Sequence, residues 1–272
     1  MSRPVLLPLL GVALLAAFGL MAVSAVNRAR AQRPGAHPAA AVAPPPATVP
    51  APPPAPVATQ PGPPSRPPVA RSAPSFTIER VTRDLTLRAR PRGKAIAQVG
   101  ATTEFGSPQT LTVVKRSGGW VAVTSTDLPN GRLGWIRADS PATSAHRTKV
   151  SLRVDLSRRR LELLGGRRVL RRITVGIGRP GSPTPTGRFS ITDKLSGAAY
   201  GPYYGCCILA LSGHQTNTPA GWQGGDRLAI HGTDVPSSIG VPSSAGCLHA
   251  GAADLRALMR RVPLGTPVFI RR

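Results

Sequence analysis

One histidine, one cysteine and the glycines beside them are the residues of this chain whose types and spacing suggest chemistry. In the stretch LAIHGTDVPSSIGVPSSAGCLHA, His231 ends a short apolar run and Gly232 follows it. Cys247 stands about sixteen residues further on, beside Gly246. A thiolate is the nucleophilic form of cysteine, and an imidazole or a helix N-terminus nearby lowers the thiol pKa, so ring and dipole together are expected to activate Cys247. Glycines let backbone N–H groups approach a reacting carbonyl. Turned inward, those around Gly246 and Cys247 would stabilise an oxyanion, usually a large contribution to acyl transfer.

The elements that must position these residues are mostly strands. From residue 148 onward Val150, Leu152, Val154 and Leu156 alternate with period two, and Leu161 and Leu163 follow. A Gly165-Gly166 turn then leads to Ile173, Val175 and Ile177, which reads as strands joined by a hairpin. Pro180, Pro183 and Pro185 precede Phe189 and Ile191, predicting a rigid loop between two strands. Leu255, Leu258, Met259 and Val262 fall at i, i+3, i+4 and i+7, a helix stopped by Pro263 and Gly265. Further upstream, between residues 75 and about 140, short β-branched runs at Leu85-Thr86-Leu87, Leu111-Thr112-Val113-Val114, Trp120-Val121-Ala122-Val123 and Trp135-Ile136 predict a small barrel of four or five strands.

Several ordered motifs in the last segment carry a family resemblance. His231-Gly232 is followed by Ser244-Ala245-Gly246-Cys247, and around them stand PTPTGRF from Pro183, AYGPYY from Ala199, LALSGH from Leu209 and IHGTDVPSSIG. This pattern, spanning residues 150 to 272, resembles the L,D-transpeptidase catalytic domain of the YkuD type. The resemblance implies a β-sandwich of mixed sheets with one principal helix and an active site under a loop. It implies Cys247 as nucleophile, His231 as base, the Gly232 carbonyl as the group that orients the imidazole, and an oxyanion hole of backbone N–H groups from Ala245, Gly246 and Cys247. It further implies attack on the bond after the third residue of a peptidoglycan stem peptide, loss of the terminal D-alanine and resolution of the thioester by an amine. No metal or organic cofactor is implied. The strings LTLRARP, GGWVAV and GRLGWIRA resemble, over some sixty residues, the bacterial Src-homology-three-like domain, so the expected fold is mainly β, a small barrel followed by the sandwich.

Two positions depart from the family pattern. Ala245 replaces a common His, which leaves a backbone oxyanion hole intact. His249 replaces the Arg that commonly helps to hold the substrate carboxylate, and a histidine, neutral over part of the physiological range, either takes over that binding or stands by. Other candidates each have two readings. Trp120 and Trp135 line a peptide groove or fill the barrel core; His214 faces the cleft or is an ordinary surface residue; His37 and His146 are solvated. Cys206 and Cys207 are adjacent on a strand, so one points inward. Either they pack as small apolar groups or one forms a redox link to Cys247.

The rest of the chain bounds where this chemistry takes place. Of 272 residues, 31 are Pro and 3 are Cys, with 35 Lys+Arg against 11 Asp+Glu. Three cysteines without paired CxxC spacing exclude a disulfide-stapled miniprotein or a structural zinc module. The uncharged run over residues 5–26 is long enough to cross a bilayer, and Val23-Ser24-Ala25 offers a signal-peptidase site, so the chain is expected to be exported, either secreted or tethered. Arg28, Arg30 and Arg33 beyond the run outnumber Arg3 before it, which argues against a stable anchor with its bulk outside. Residues 34–74, almost entirely Pro and Ala, predict an extended spacer that at ~3.1 Å per residue reaches on the order of 120 Å. The expected organisation is thus 1–33 signal or anchor, 34–74 linker, 75–147 barrel and 148–272 catalytic domain. From residue 149 on there are 18 Lys+Arg against 6 Asp+Glu, half of the net +24. For an exported chain with no nucleic-acid motif, such charge suits acidic wall polymers or a membrane surface rather than nucleic acid. The rival to an acyltransferase is a wall-binding protein with a lapsed catalytic domain.

Overall fold

The computed structural model describes residues 72–272. The apolar run over residues 5–26, the Pro/Ala segment up to residue 71 and His37 lie outside the described residues. Two β-modules follow one another, and the chain passes from one to the other within two residues.

The first module is a seven-stranded sheet of β1 (Phe76–Val81), β2 (Leu85–Arg88), β3 (Ala95–Val99), β4 (Thr110–Ser117), β5 (Trp120–Val123), β6 (Gly134–Arg137) and β7 (Thr143–Thr148), ordered β3-β2-β6-β5-β4-β1-β7. Leu85 and Leu87 are buried while Thr86 between them is half-buried, the period-two pattern of a strand with one face on a core. That core gathers Val81, Leu87, Leu111, Val121, Val123 and Ile136. Trp120 and Trp135 are buried and form a separate small cluster with Ala122. Cations close over it: Lys115 Nζ lies 5.2 Å from the Trp135 ring and the Arg137 guanidinium 5.8 Å from the Trp120 ring. The two indoles are therefore packed within their own module and do not line an open groove.

The second module is built on an eight-stranded mixed sheet. Its strands are β8 (Val150–Asp155), β9 (Arg160–Gly165), β10 (Arg168–Thr174), β12 (Gly187–Ser196), β13 (Cys207–His214), β14 (Arg227–His231), β16 (Leu248–His249) and β17 (Pro267–Arg271), in the order β10-β9-β8-β17-β12-β13-β14-β16. A parallel two-stranded ribbon, β11 (Ile177–Gly178) with β15 (Pro242–Ser244), stands apart. The pairs β8–β17 and β14–β16 are parallel and the others antiparallel. Leu152 and Ile173 from one end of the sheet share a single core with Ile230 from the other, so the sheet curls over on itself. Helix α1 (Ala252–Arg261) closes that core with Leu255 and Leu258, two of the positions that the 3.6-residue periodicity marks as inward.

Polar contacts join the modules. Thr112 donates to the Gly265 carbonyl (2.6 Å) and the Thr124 and Ser190 hydroxyls are 3.1 Å apart. His214 at the end of β13 is held from the first module on three sides: Asn130 Nδ2 donates to its carbonyl (2.7 Å), Asn130 Oδ1 accepts its N–H (2.9 Å), and its Nε2 lies 2.7 Å from the Thr126 carbonyl. His214 is thus a joint between modules, a third role beside the cleft and plain-surface readings. Asn130→Ala leaves both His214 backbone groups without these partners, and buried groups left unpaired cost ~1–3 kcal/mol. Urea unfolding should show a loss in that range; a loss below about 0.5 kcal/mol, as for an ordinary surface substitution, would show that the junction carries little stability.

Candidate active site

His231 is the last residue of β14, and the sheet fixes it from both sides. It is registered against Ile208 of β13 and against His249 of the parallel strand β16. Its carbonyl accepts the Ala250 N–H, and the next N–H, from Gly232, donates to the Cys207 carbonyl. The chain at Gly232 passes so close to the turn before β13 that a Cβ there would lie 2.8 Å from Gly205 Cα and 2.8 Å from the Tyr204 carbonyl oxygen. Only glycine fits that crossing. The imidazole has no exposed surface, and its Nδ1 is 2.6 Å from the Gly232 carbonyl. A carbonyl can only accept, so Nδ1 carries the proton and donates it. Nε2 is left with a free lone pair and has no hydrogen-bond partner.

Cys247 lies at the end of a loop whose backbone is tied at every residue. Ser244 Oγ donates to the Cys247 carbonyl (2.6 Å) and accepts the Gly246 N–H (3.0 Å). Thr184 Oγ1 donates to the Gly246 carbonyl (2.8 Å), and Gln215 Nε2 donates to the Ala245 carbonyl (2.9 Å). Gly246 has φ +123°, and a Cβ there would strike Gln215 Nε2 at 1.9 Å. This arrangement narrows the expected oxyanion hole. The Gly246 N–H is engaged by Ser244, which leaves the Ala245 and Cys247 N–H groups as its candidates.

Cys247 and His231 line one narrow cleft, with Tyr203, Tyr204, Trp222 and Arg227 among its other walls. The segment between β13 and β14 supplies Gln215, Trp222, Gly224 and Gly225 to that lining, the loop over the site that the resemblance implies. Tyr204 packs 5.0 Å and Tyr203 5.5 Å from the His231 ring, centroid to centroid. Burial dominates the electrostatics. It pushes the His231 pKa down to about 4, helped by His249, and the Cys247 thiol up to about 11. The thiol is not activated in the resting site. The expected helix contribution is displaced: β16 intervenes, and α1 begins only at Ala252. At neutral pH the pair is a neutral thiol and a neutral imidazole.

His249 is buried behind His231, the two rings 4.8 Å apart, and its Nδ1 is 2.8 Å from Ser238 Oγ. It is not among the residues that line the cleft; the guanidinium there belongs to Arg227. Cys206 and Cys207 are bonded to each other and Cys247 is a free thiol, so the redox link to Cys247 does not form: the adjacent sulfur is the nearer partner. Sequence reasoning missed Gln215, Thr184, Ser238, Trp222 and Arg227. Of these only Trp222, in a glycine-rich loop, carried a local signal.

A family model described as the L,D-transpeptidase catalytic domain, YkuD, matches residues 149–270. The L,D-transpeptidase YkuD of Bacillus subtilis is 31% identical over 121 residues, 44% of this chain and 64% of its own length, so the match spans just under two thirds of that relative. The corresponding protein of Bacillus licheniformis is 32% identical over 133 residues, 48% of this chain and 68% of its own. An L,D-transpeptidase structure from Mycobacterium smegmatis superposes with a TM-score of 0.38 at 16% identity, covering 71% of this chain and 99% of that one. With the Bacillus licheniformis relative matched over two thirds of its length, the chain belongs to the YkuD family of L,D-transpeptidases.

Proposed function

We propose that the protein is an exported cysteine acyltransferase that acts on peptidoglycan stem peptides. The observation that carries this reading is the pairing of Cys247 with His231 in one cleft, the imidazole oriented by the Gly232 carbonyl so that its free Nε2 is the base. In the first step Sγ bonds to the carbonyl carbon of the peptide bond before the terminal D-alanine. The thiol proton passes to His231 Nε2 and on to the departing amine nitrogen as the C–N bond breaks, leaving a thioester. In the second step an acceptor amine bonds to the same carbon and the C–S bond breaks. The amine's proton returns through His231 to sulfur. The Ala245 and Cys247 N–H groups hold the oxyanion in both steps. None of these steps calls for a metal or an organic cofactor.

Export rests on the apolar run at residues 5–26, and tethering or secretion follows from whether that run is cleaved. The N-terminal module, read as Src-homology-three-like, would hold the catalytic module against the wall. The excess of arginine favours acidic wall polymers as a second point of contact.

Incubation with stem tetrapeptides followed by mass spectrometry tests the reaction. The protein should release D-alanine and gain a thioester on Cys247, and Cys247→Ala should do neither. Binding to wall without any covalent adduct would make the protein a wall-binding module instead.

The pH dependence of alkylation tests the resting state of the two groups. With burial holding the Cys247 thiol up at about 11 and His231 neutral above about 4, free thiolate outnumbers the proton-transferred pair throughout the neutral range. Iodoacetamide should therefore alkylate the wild type at a rate that climbs about tenfold per pH unit between pH 6 and 9. A rate that stays flat over this interval would show that His231 already holds the proton of Cys247 before substrate binds.

A further inference from the structure

The cleft at Cys247 does not end at the family domain. A second, wider compartment shares Tyr204, Gly224, Arg227 and Ala229 with it, and continues between Leu195, Ile208 and Tyr200 to Phe105. Phe105 belongs to the first module. It sits at the tip of the loop between β3 and β4, outside the residues matched by the family model. The loop is rigid by construction: the Thr103 hydroxyl accepts the N–H groups of Phe105 (3.3 Å) and Ser107 (3.1 Å) and donates to the fully buried Asp193 carboxylate (2.5 Å). The Phe105 ring meets Tyr200 edge-on at 6.2 Å, and the Arg227 guanidinium caps it at 5.6 Å.

Arg227 is the charged side chain lining both compartments, and alone it would repel a cation. It is compensated twice: Glu104 accepts from its Nη2 at 2.7 Å, and Asp193 lies 3.8 Å from its Nη1. Paired with both carboxylates, the guanidinium leaves the otherwise apolar compartment without excess positive charge. Such a compartment suits a methylene chain that ends in an ammonium. A carboxylate would have to displace Glu104 from Arg227.

We infer that Phe105 forms the outer wall of the compartment that takes the methylene stem of the amine acceptor, with Glu104 acting on it through Arg227, so that acceptor selectivity is set partly by the N-terminal module. The inference rests on the acyl-transfer reading above. The first compartment holds the acyl group on Cys247, and the second delivers the amine along Leu195, Ile208 and Ala229 to the thioester while excluding water from it. Arg227 stays neutralised as the ammonium passes and gives up its excess proton to solvent. The free amine then attacks.

The test uses the full chain, a stem tetrapeptide as donor and Nα-acetyl-lysine as acceptor, and measures thioester formation separately from the ratio of transfer to hydrolysis. Phe105→Ala should form thioester within about twofold of the wild type but lose about tenfold in that ratio, the scale of one buried aromatic contact. Phe105→Leu, which keeps the wall apolar and guards against a misfolded Ala variant, should recover most of it. Glu104→Gln should raise the acceptor KM severalfold at low salt, and the effect should shrink at high ionic strength as the Arg227 charge left without this partner is screened. No thioester in the wild type would overturn the catalytic reading itself. Thioester formation with an unchanged transfer ratio in Phe105→Ala, or an unchanged acceptor KM in Glu104→Gln, would overturn the assignment of the first module to the acceptor site.

Discussion

The structure depends on one hydrogen bond inside a backbone crossing. His231 gives its Nδ1 proton to the carbonyl of the next residue, and it can do so because Gly232 and Gly205 lie against each other with no side chain between them. The crossing brings the turn before β13 over the end of β14, which places Tyr203 and Tyr204 on the imidazole and removes it from water. The hydrogen bond sets the tautomer and orientation of the ring, while burial beneath the crossing keeps it neutral against the opposing pull of the Gly232 carbonyl. The free Nε2, and with it the direction in which a proton can be taken, is fixed before any substrate arrives.

The same economy explains the loop of Cys247. Its carbonyls and one of its amides are tied down by Ser244, Thr184 and Gln215, side chains that come from three separate stretches of the second module. A nucleophile held this way loses little conformational freedom on reaching the transition state, the condition under which positioning contributes most to rate. Gly246 at φ +123° is the backbone consequence: the chain must turn there, and Gln215 fills the space where a side chain would be.

The candidate site was legible where its residues are contiguous or strongly periodic. His231-Gly232, Ser244 to Cys247 and the helix positions Leu255 and Leu258 announce themselves within short windows, and the alternation of β8 exposes its buried face. What was not legible depends on strand order. Gln215, Thr184 and Ser238 are ordinary polar residues in loops, and nothing in their neighbourhoods says that the curled sheet will bring them to Cys247 and His249. His249 is the sharpest instance. Its position after Cys247-Leu248 suggests a substrate ligand. The parallel pairing of β16 with β14 instead turns it behind His231, where Ser238 satisfies its Nδ1. The effect of burial on the thiol escaped the sequence for a related reason, since desolvation is a property of the assembled site and local motifs do not report it.

A buried neutral thiol and imidazole have a physical advantage over a preformed ion pair. Thiolates are the forms that oxidants and stray electrophiles attack, and susceptibility follows thiolate character and exposure. Here the thiolate is disfavoured in the resting site by the same burial that lowers the imidazole pKa. In the proposed reaction, proton transfer from Cys247 to His231 would become favourable only as negative charge develops on a substrate carbonyl within reach of the Ala245 and Cys247 N–H groups. Reactivity is thereby tied to occupancy. The other two cysteines reinforce this arrangement, because they are bonded to each other and leave Cys247 without a disulfide partner within the described residues.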